Sequence, residues 1–299
     1  MEPFVLIAFF VGLGIFFQRV EAFPPQTVQV LNIFALYVSL PAVILLKVPQ
    51  ISLSGELFIP IAVAWGALLL TAALVFLAAR IMQWPRTVTG VLLLVIPLGN
   101  TSFMGVPIVS ALFGEDGLRH LIIYDQFGTM LIFATYGSLI LAFYGKDGSV
   151  SMRGIARRAL LFPPTIALCL GLTFVSIGSY PPLVENLLKV AAGTLTPLIM
   201  TAIGLQLRLR LQSTLHGPLA FGLGVKLVVA PLAALLVLRW CGVDSLAGDV
   251  SIIEAGMPPM VTAGALAIIA GMNAELASAL IGLGLLISFA TLPLLYGLL

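Results

Sequence analysis

Residues 96–109 read IPLGNTSFMGVPIV, and how this stretch sits in its surroundings decides the fold. On both sides the chain is apolar enough to enter a bilayer, yet here two prolines, two glycines and the polar run Asn100, Thr101 and Ser102 interrupt it. A proline removes a backbone donor and clashes with the preceding turn, so helix carbonyls come free where it stands. Lipid cannot satisfy those groups, and irregular backbone persists at membrane depth only against protein or a water-filled cavity. The stretch therefore predicts a membrane helix broken at its middle, with the break facing inward.

The rest of the chain supplies the membrane reading. Of 299 residues, 61% are hydrophobic and 9% charged, with a mean hydropathy of +1.17. That is too little polar surface for a soluble globule of this length. Ten stretches reach the about 20 apolar residues needed to cross about 30 Å of hydrocarbon. They are 3–18, 28–46, 57–79, 88–112, 121–143, 156–177, 186–206, 216–238, 247–270 and 276–298. The N-terminal Met1-Glu2-Pro3 lacks the basic region of a secretory signal, so the first apolar run reads as the first span. Connections are short, and residues 145–154, GKDGSVSMRG, have the composition of a connector.

Several function classes drop out. The net charge is +2, and the basic residues are scattered through loops, so no nucleic-acid stripe forms. A glycine-rich phosphate loop ending in lysine is absent from the sequence. Cys169 and Cys241 have neither redox nor metal spacing, and His120 and His216 stand apart at loop edges. No metal or organic cofactor is expected beyond a coupling Na⁺ or H⁺.

With spans alternating, Arg19, Arg80, Arg86, Lys146, Arg153, Arg157, Arg158, Arg208 and Arg210 fall on one side. Lys47, Arg119, Lys189 and Arg239 fall on the other. The positive-inside rule then places both termini outside, in a multi-pass protein of the cell's inner (plasma) membrane.

Five spans precede the connector 146–154 and five follow it, so residues 1–145 and 155–299 form two repeats, the second inverted. Pro41 and Pro197 lie 156 positions apart, and Asn100 and Glu254 lie 154 apart. Span nine, SIIEAGMPPMVTAGALAIIAG at 251–271, repeats the design of span four, with Glu254, Gly256, Met257, Pro258, Pro259 and Thr262 between apolar flanks. The fold class expected is all-α and integral to the membrane: ten helices as two inverted five-helix repeats. Helices four and nine are broken at Pro107 and at Pro258 and Pro259. Matching interruptions in inverted repeats mark a transporter site at the midplane, where helix N-termini attract anions and freed carbonyls suit cations.

Three ionisable residues fall inside spans, and each needs a cavity or a partner. Glu254 precedes the break, where its carboxylate can hold Na⁺ or exchange a proton; a static pair with Lys226 is the alternative. Asp125 stands in IYDQFGTML with Thr129 at i, i+4, a second coupling position; the alternative is a helix-end charge reaching water. Lys226 is too deep to snorkel and either balances an anionic substrate or pairs with Asp125 or Glu254. Asn100, with donor and acceptor, suits a carboxylate beside a helix N-terminus, or else merely caps the break.

The chain resembles the auxin efflux carrier family, in the superfamily that also holds the bile acid:sodium symporters. The resemblance runs the whole length and rests on LGNTSFMGVPI in span four, KLVVAPL at 226–232 and EAGMPP at 254–259. It implies two crossing broken helices, a scaffold of spans 1, 2, 6 and 7, and a mobile transport domain of spans 3–5 and 8–10. It also implies elevator-type displacement, a homodimer through the scaffold, and carboxylated substrates such as auxins, malonate or malate. Bile acid symporters place a sodium-binding glutamate before their span-nine crossover, and EAGM matches that placement. The long central loop of plant carriers is absent, so the chain looks like a short, prokaryotic-type member.

The expected function is secondary transport of a small organic anion. Asn100, Thr101, Ser102, Gly256, Met257, Pro258 and Lys226 would bind substrate, and Glu254, Asp125 and Thr129 the coupling ion. A passive channel or a bile-acid-type symporter is the alternative. Tyr124-Asp125 and Gly222-Leu223-Gly224 echo intramembrane aspartyl proteases, but Val225 stands where the second aspartate belongs, and two carboxylates are the chemistry.

Overall fold

The computed structural model describes residues 2–24, 26–50, 55–145, 161, 163–174, 180–206 and 215–299. The connector 146–154, with Lys146 and Arg153, lies outside them, as do Arg157, Arg158, Arg208 and Arg210. Among the described residues the regular structure is entirely helical. In chain order the segments are α1 (Glu2–Phe17), α2 (Gln26–Gln50), α3 (Gly55–Ile81), α4 (Arg86–Val95), α5 (Thr101–Tyr144), α6 (Pro163–Phe174), α7 (Pro182–Leu205), α8 (His216–Trp240), α9 (Leu246–Ala255), α10 (Val261–Ile269) and α11 (Ala274–Tyr296).

Six of these, α2, α3, α5, α7, α8 and α11, are long and apolar enough to cross a membrane. The count falls short of the ten expected for physical reasons. The predicted spans four and nine are each split, leaving α4, α9 and α10 too short to cross alone, and α1 and α6, in the predicted spans one and six, are described over only 16 and 12 residues. The predicted span five is continuous with the end of span four in α5, which turns at Gly114 (φ 67°).

The chain divides into two compact units. One holds Met1–Ser54, Ser102–Ile122 and Leu160–Arg208. Its tightest packing is α1 against α7, where Gly14 and Gly204 meet. A Cβ on Gly14 would stand 2.2 Å from the Thr201 carbonyl oxygen, and one on Gly204 2.2 Å from that of Val11. Only glycine permits such backbone-on-backbone contact, the device by which membrane helices gain van der Waals area. In the same unit α2 packs on α6 and α7, and the Ser39 and Thr194 hydroxyls share a hydrogen bond of 2.6 Å. Lys47 pairs with Glu115.

The second unit holds Gly55–Thr101, Ile123–Ala159 and Leu209–Leu299. Here α3 lies against α8 and α9, and α4 against α10 and α11. Both short helices are enclosed: Val88–Val95 of α4 and nearly all of α9 are buried. Burial inside protein is what lets such a half-helix stop at mid-depth without exposing its end to lipid.

Five stretches wind as π-helix: Ala35–Ser39, Thr101–Gly105, Tyr124–Met130, Phe133–Gly137 and Val225–Val229. They carry Ser39, Thr101, Asp125, Tyr136 and Lys226, each a polar side chain with a specific partner. Such bulges concentrate at functional positions.

Candidate functional site

The two breaks meet within the second unit. After α4 ends at Val95 and α9 ends at Ala255 the chain leaves the helical path, and the two breaks pair through a single antiparallel bridge, Gly99 facing Pro259. The Asn100 amide donates to the Pro258 carbonyl at 2.8 Å, and the Met260 amide to the Leu98 carbonyl at 2.9 Å. Each broken helix thus satisfies the backbone that the other leaves open.

Gly99 and Pro259, opposite each other here, lie 160 positions apart, close to the 154 that separate Asn100 from Glu254 and the 156 that separate Pro41 from Pro197.

Prolines leave two specific carbonyls without their helical donors, and a side chain reaches each. Pro97 cannot bond Leu93, and the Tyr136 hydroxyl donates to that carbonyl at 2.9 Å. Pro259 cannot bond Ala255, and the Lys226 ammonium donates to that carbonyl at 3.1 Å. The ammonium also lies at the negative end of α9 and against the crossing, 3.2 Å from where a Cβ on Gly99 would be. Pro107 is not at the crossing. It lies inside the continuous helix α5, directly after the π-helical turn Thr101–Gly105.

The remaining expected residues distribute as follows. Asn100, Thr101, Ser102, Met257 and Lys226 are buried, as are Gly256, Pro258 and Pro259. The Asn100 side-chain amide forms no hydrogen bond among the described residues, so capping the break is done by its backbone alone. Asp125 is 2% exposed and does not reach water. Its Oδ1 accepts from the Thr101 hydroxyl at 2.5 Å and its Oδ2 from the Gln126 amide at 2.7 Å. Thr129 is buried in the same π-helical run as Asp125, Tyr124–Met130.

Glu254 is fully buried, and neither carboxylate oxygen has a hydrogen-bond partner among the described residues. The static pair with Lys226 does not form: the ammonium is turned to Ala255, although the charges of Lys226 and Asp125 both act on Glu254. One acid is thus fully bound by the protein and the other is left open, around one lysine.

Tyr136, Pro97 and the π-helical winding are the parts that sequence reasoning missed. Pro97 was in plain view within the broken stretch; for Tyr136 there was no signal, because its partner is distant in sequence.

The family model described as membrane transport protein matches residues 1–296. An uncharacterized transporter of Methanothermobacter thermautotrophicus is 29% identical over 98% of this chain and 96% of its own length. An uncharacterized transporter of Methanocaldococcus jannaschii is 26% identical over 86% of this chain and 85% of its own length. A multi-pass helical chain with crossed, interrupted helices is thereby matched in full by one family, and the protein belongs to the membrane transport protein family.

Proposed function

We propose that the protein is a secondary transporter of small organic anions, carboxylates in the auxin and dicarboxylate range, with Na⁺ or H⁺ as coupling ion. The observation that carries this reading is Glu254: a carboxylate wholly buried, without a hydrogen bond, at the end of a half-helix in a membrane protein. An uncompensated buried charge costs several kcal/mol, and a site that binds a proton or a monovalent cation recovers that cost. The donor set fits such an ion, since both oxygens are hard ligands left unused by the protein.

Substrate binding falls to the other side of the crossing. The N-terminal ends at Thr101 and Val261 direct amides and positive dipole toward an anion, and Asn100 supplies a side chain not committed elsewhere. Thr101, Ser102, Gly256, Met257 and Pro258 would line the site. Lys226 holds the break open at Ala255 and adds positive charge beside Gly99.

On this reading the chain is two inverted five-span repeats, ten spans in all, with both termini outside the plasma membrane. Offsets of 155 between Ser39 and Thr194 and 160 at the breaks support it. A scaffold of spans 1, 2, 6 and 7, a homodimer through it and elevator movement of a transport domain complete the proposal; spans 1, 2, 6 and 7 fall in one compact unit, together with residues 102–122. The chain is not read as an enzyme.

Thermal unfolding of the purified protein against malonate, malate and indole acetic acid, with and without Na⁺, tests the proposal, because binding raises stability by mass action. We expect stabilisation by at least one carboxylate. No shift with any of them, in either salt, would contradict the proposed substrate class.

A further inference from the structure

A second polar pocket lies in the second unit, away from the crossing. At the turn joining α3 to α4 a cavity of about 650 Å³ opens between Phe76, Arg80, Gln83, Trp84, Arg86 and Tyr144. Among the described residues neither arginine pairs with a carboxylate. Arg80 lies over the Phe76 ring, its Cζ 4.9 Å from the centroid, and Arg86 over Tyr144 at 5.4 Å. Arg86 also donates to the Phe143 carbonyl. The rings fix both guanidinium planes while leaving donors unspent. Gln83 holds a positive φ of 53° and ties its amide to the Arg80 carbonyl at 2.8 Å, which fixes the turn between the two cations.

The turn between α8 and α9 provides a comparison inside the same molecule. A cavity of about 270 Å³ there is lined by Arg239, Asp244 and Asp249. The fold gives both turns a cavity, but only the sequence of the first makes it cationic and aromatic.

We propose that the Arg80–Arg86 pocket binds the phosphate headgroup of an anionic phospholipid. Two guanidinium groups with free donors match a phosphodiester, and aromatic rings with a polar edge suit the membrane interface. A lipid is favoured over a soluble phosphate because the pocket opens onto apolar surface: Phe76 and Phe143 on its rim, and Leu77 and Ile81 beside it on α3, are all exposed. Acyl chains have somewhere to lie. The proposal stands on the membrane reading alone and does not depend on the transported substrate.

The test is lipid retention by the full chain, purified from mixed vesicles of phosphatidylcholine and phosphatidylglycerol and measured by native mass spectrometry. Retained phosphatidylglycerol should be enriched over phosphatidylcholine, and the double variant Arg80→Gln/Arg86→Gln should lower that enrichment about thirtyfold. Arg239→Gln should leave it unchanged, and Arg80→Lys/Arg86→Lys should restore a large part, which separates loss of charge from misfolding. Equal retention in the glutamine variant would overturn the proposal. So would displacement of the lipid by inorganic phosphate alone, since the site would then take a free anion.

Discussion

At the scale of single residues, two buried carboxylates meet opposite treatment. Asp125 has both oxygens satisfied by Thr101 and Gln126, whereas Glu254 has neither satisfied. Glu254→Gln keeps the volume and removes the charge, so its thermal midpoint should equal or exceed that of the parent while any Na⁺ or pH dependence of carboxylate binding disappears. A midpoint reduced along with unchanged ion dependence would make Glu254 structural. Asp125→Asn turns an acceptor toward two donors and should be destabilising by about 1–3 kcal/mol. The proline-freed carbonyls give a second prediction. Tyr136→Phe strands the Leu93 carbonyl and should cost about 1–3 kcal/mol in denaturant unfolding, whereas Tyr37→Phe, on a largely exposed ring, should cost nothing measurable. These roles were only partly legible. Asp125, Lys226 and Glu254 declare themselves because ionisable groups are rare in apolar spans, but which of them is left open depends on rotamers and partners that spacing does not encode.

At the scale of elements, apolar length identified a helical, multi-pass membrane chain, because bilayer thickness imposes it, although six helices and not ten are long enough to cross. Where a span is cut, as at residues 96–100 and 256–260, Pro and Gly in an apolar run were sufficient warning. Sequence pattern failed at finer detail. Pro107 reads as a breaker but sits inside the continuous helix α5, next to a π-helical turn, and the π-helical windings answer to tertiary partners and not to local propensity. Helix packing offers a sharper test. Because Gly14 and Gly204 leave no room for a Cβ, Gly204→Val should force α1 and α7 apart and lower the thermal midpoint by several degrees or abolish folding. Gly12→Val, whose added carbons enter open space, should fold with a near-parental midpoint. Similar losses in both variants would show that the contact is not what holds these helices together.

At the scale of the whole molecule, the proposed orientation with both termini outside can be tested at the cysteines. Cys241 ends α8 beside Arg239, and both cysteines are free and exposed. With the termini outside, a membrane-impermeant maleimide applied to intact cells should label Cys241, while Cys169, within α6, should stay unlabelled because its thiol faces hydrocarbon. Labelling of Cys241 only after permeabilisation would reverse the orientation. The central claim, that crossed half-helices build a coupled carrier site, is tested most directly by accumulation in proteoliposomes holding the purified protein. With an imposed Na⁺ or H⁺ gradient, labelled malonate or malate should enter saturably and exceed its external concentration, and Glu254→Gln should abolish the accumulation. Uptake that never saturates and stops at equal concentrations, in parent and variant alike, would contradict the account.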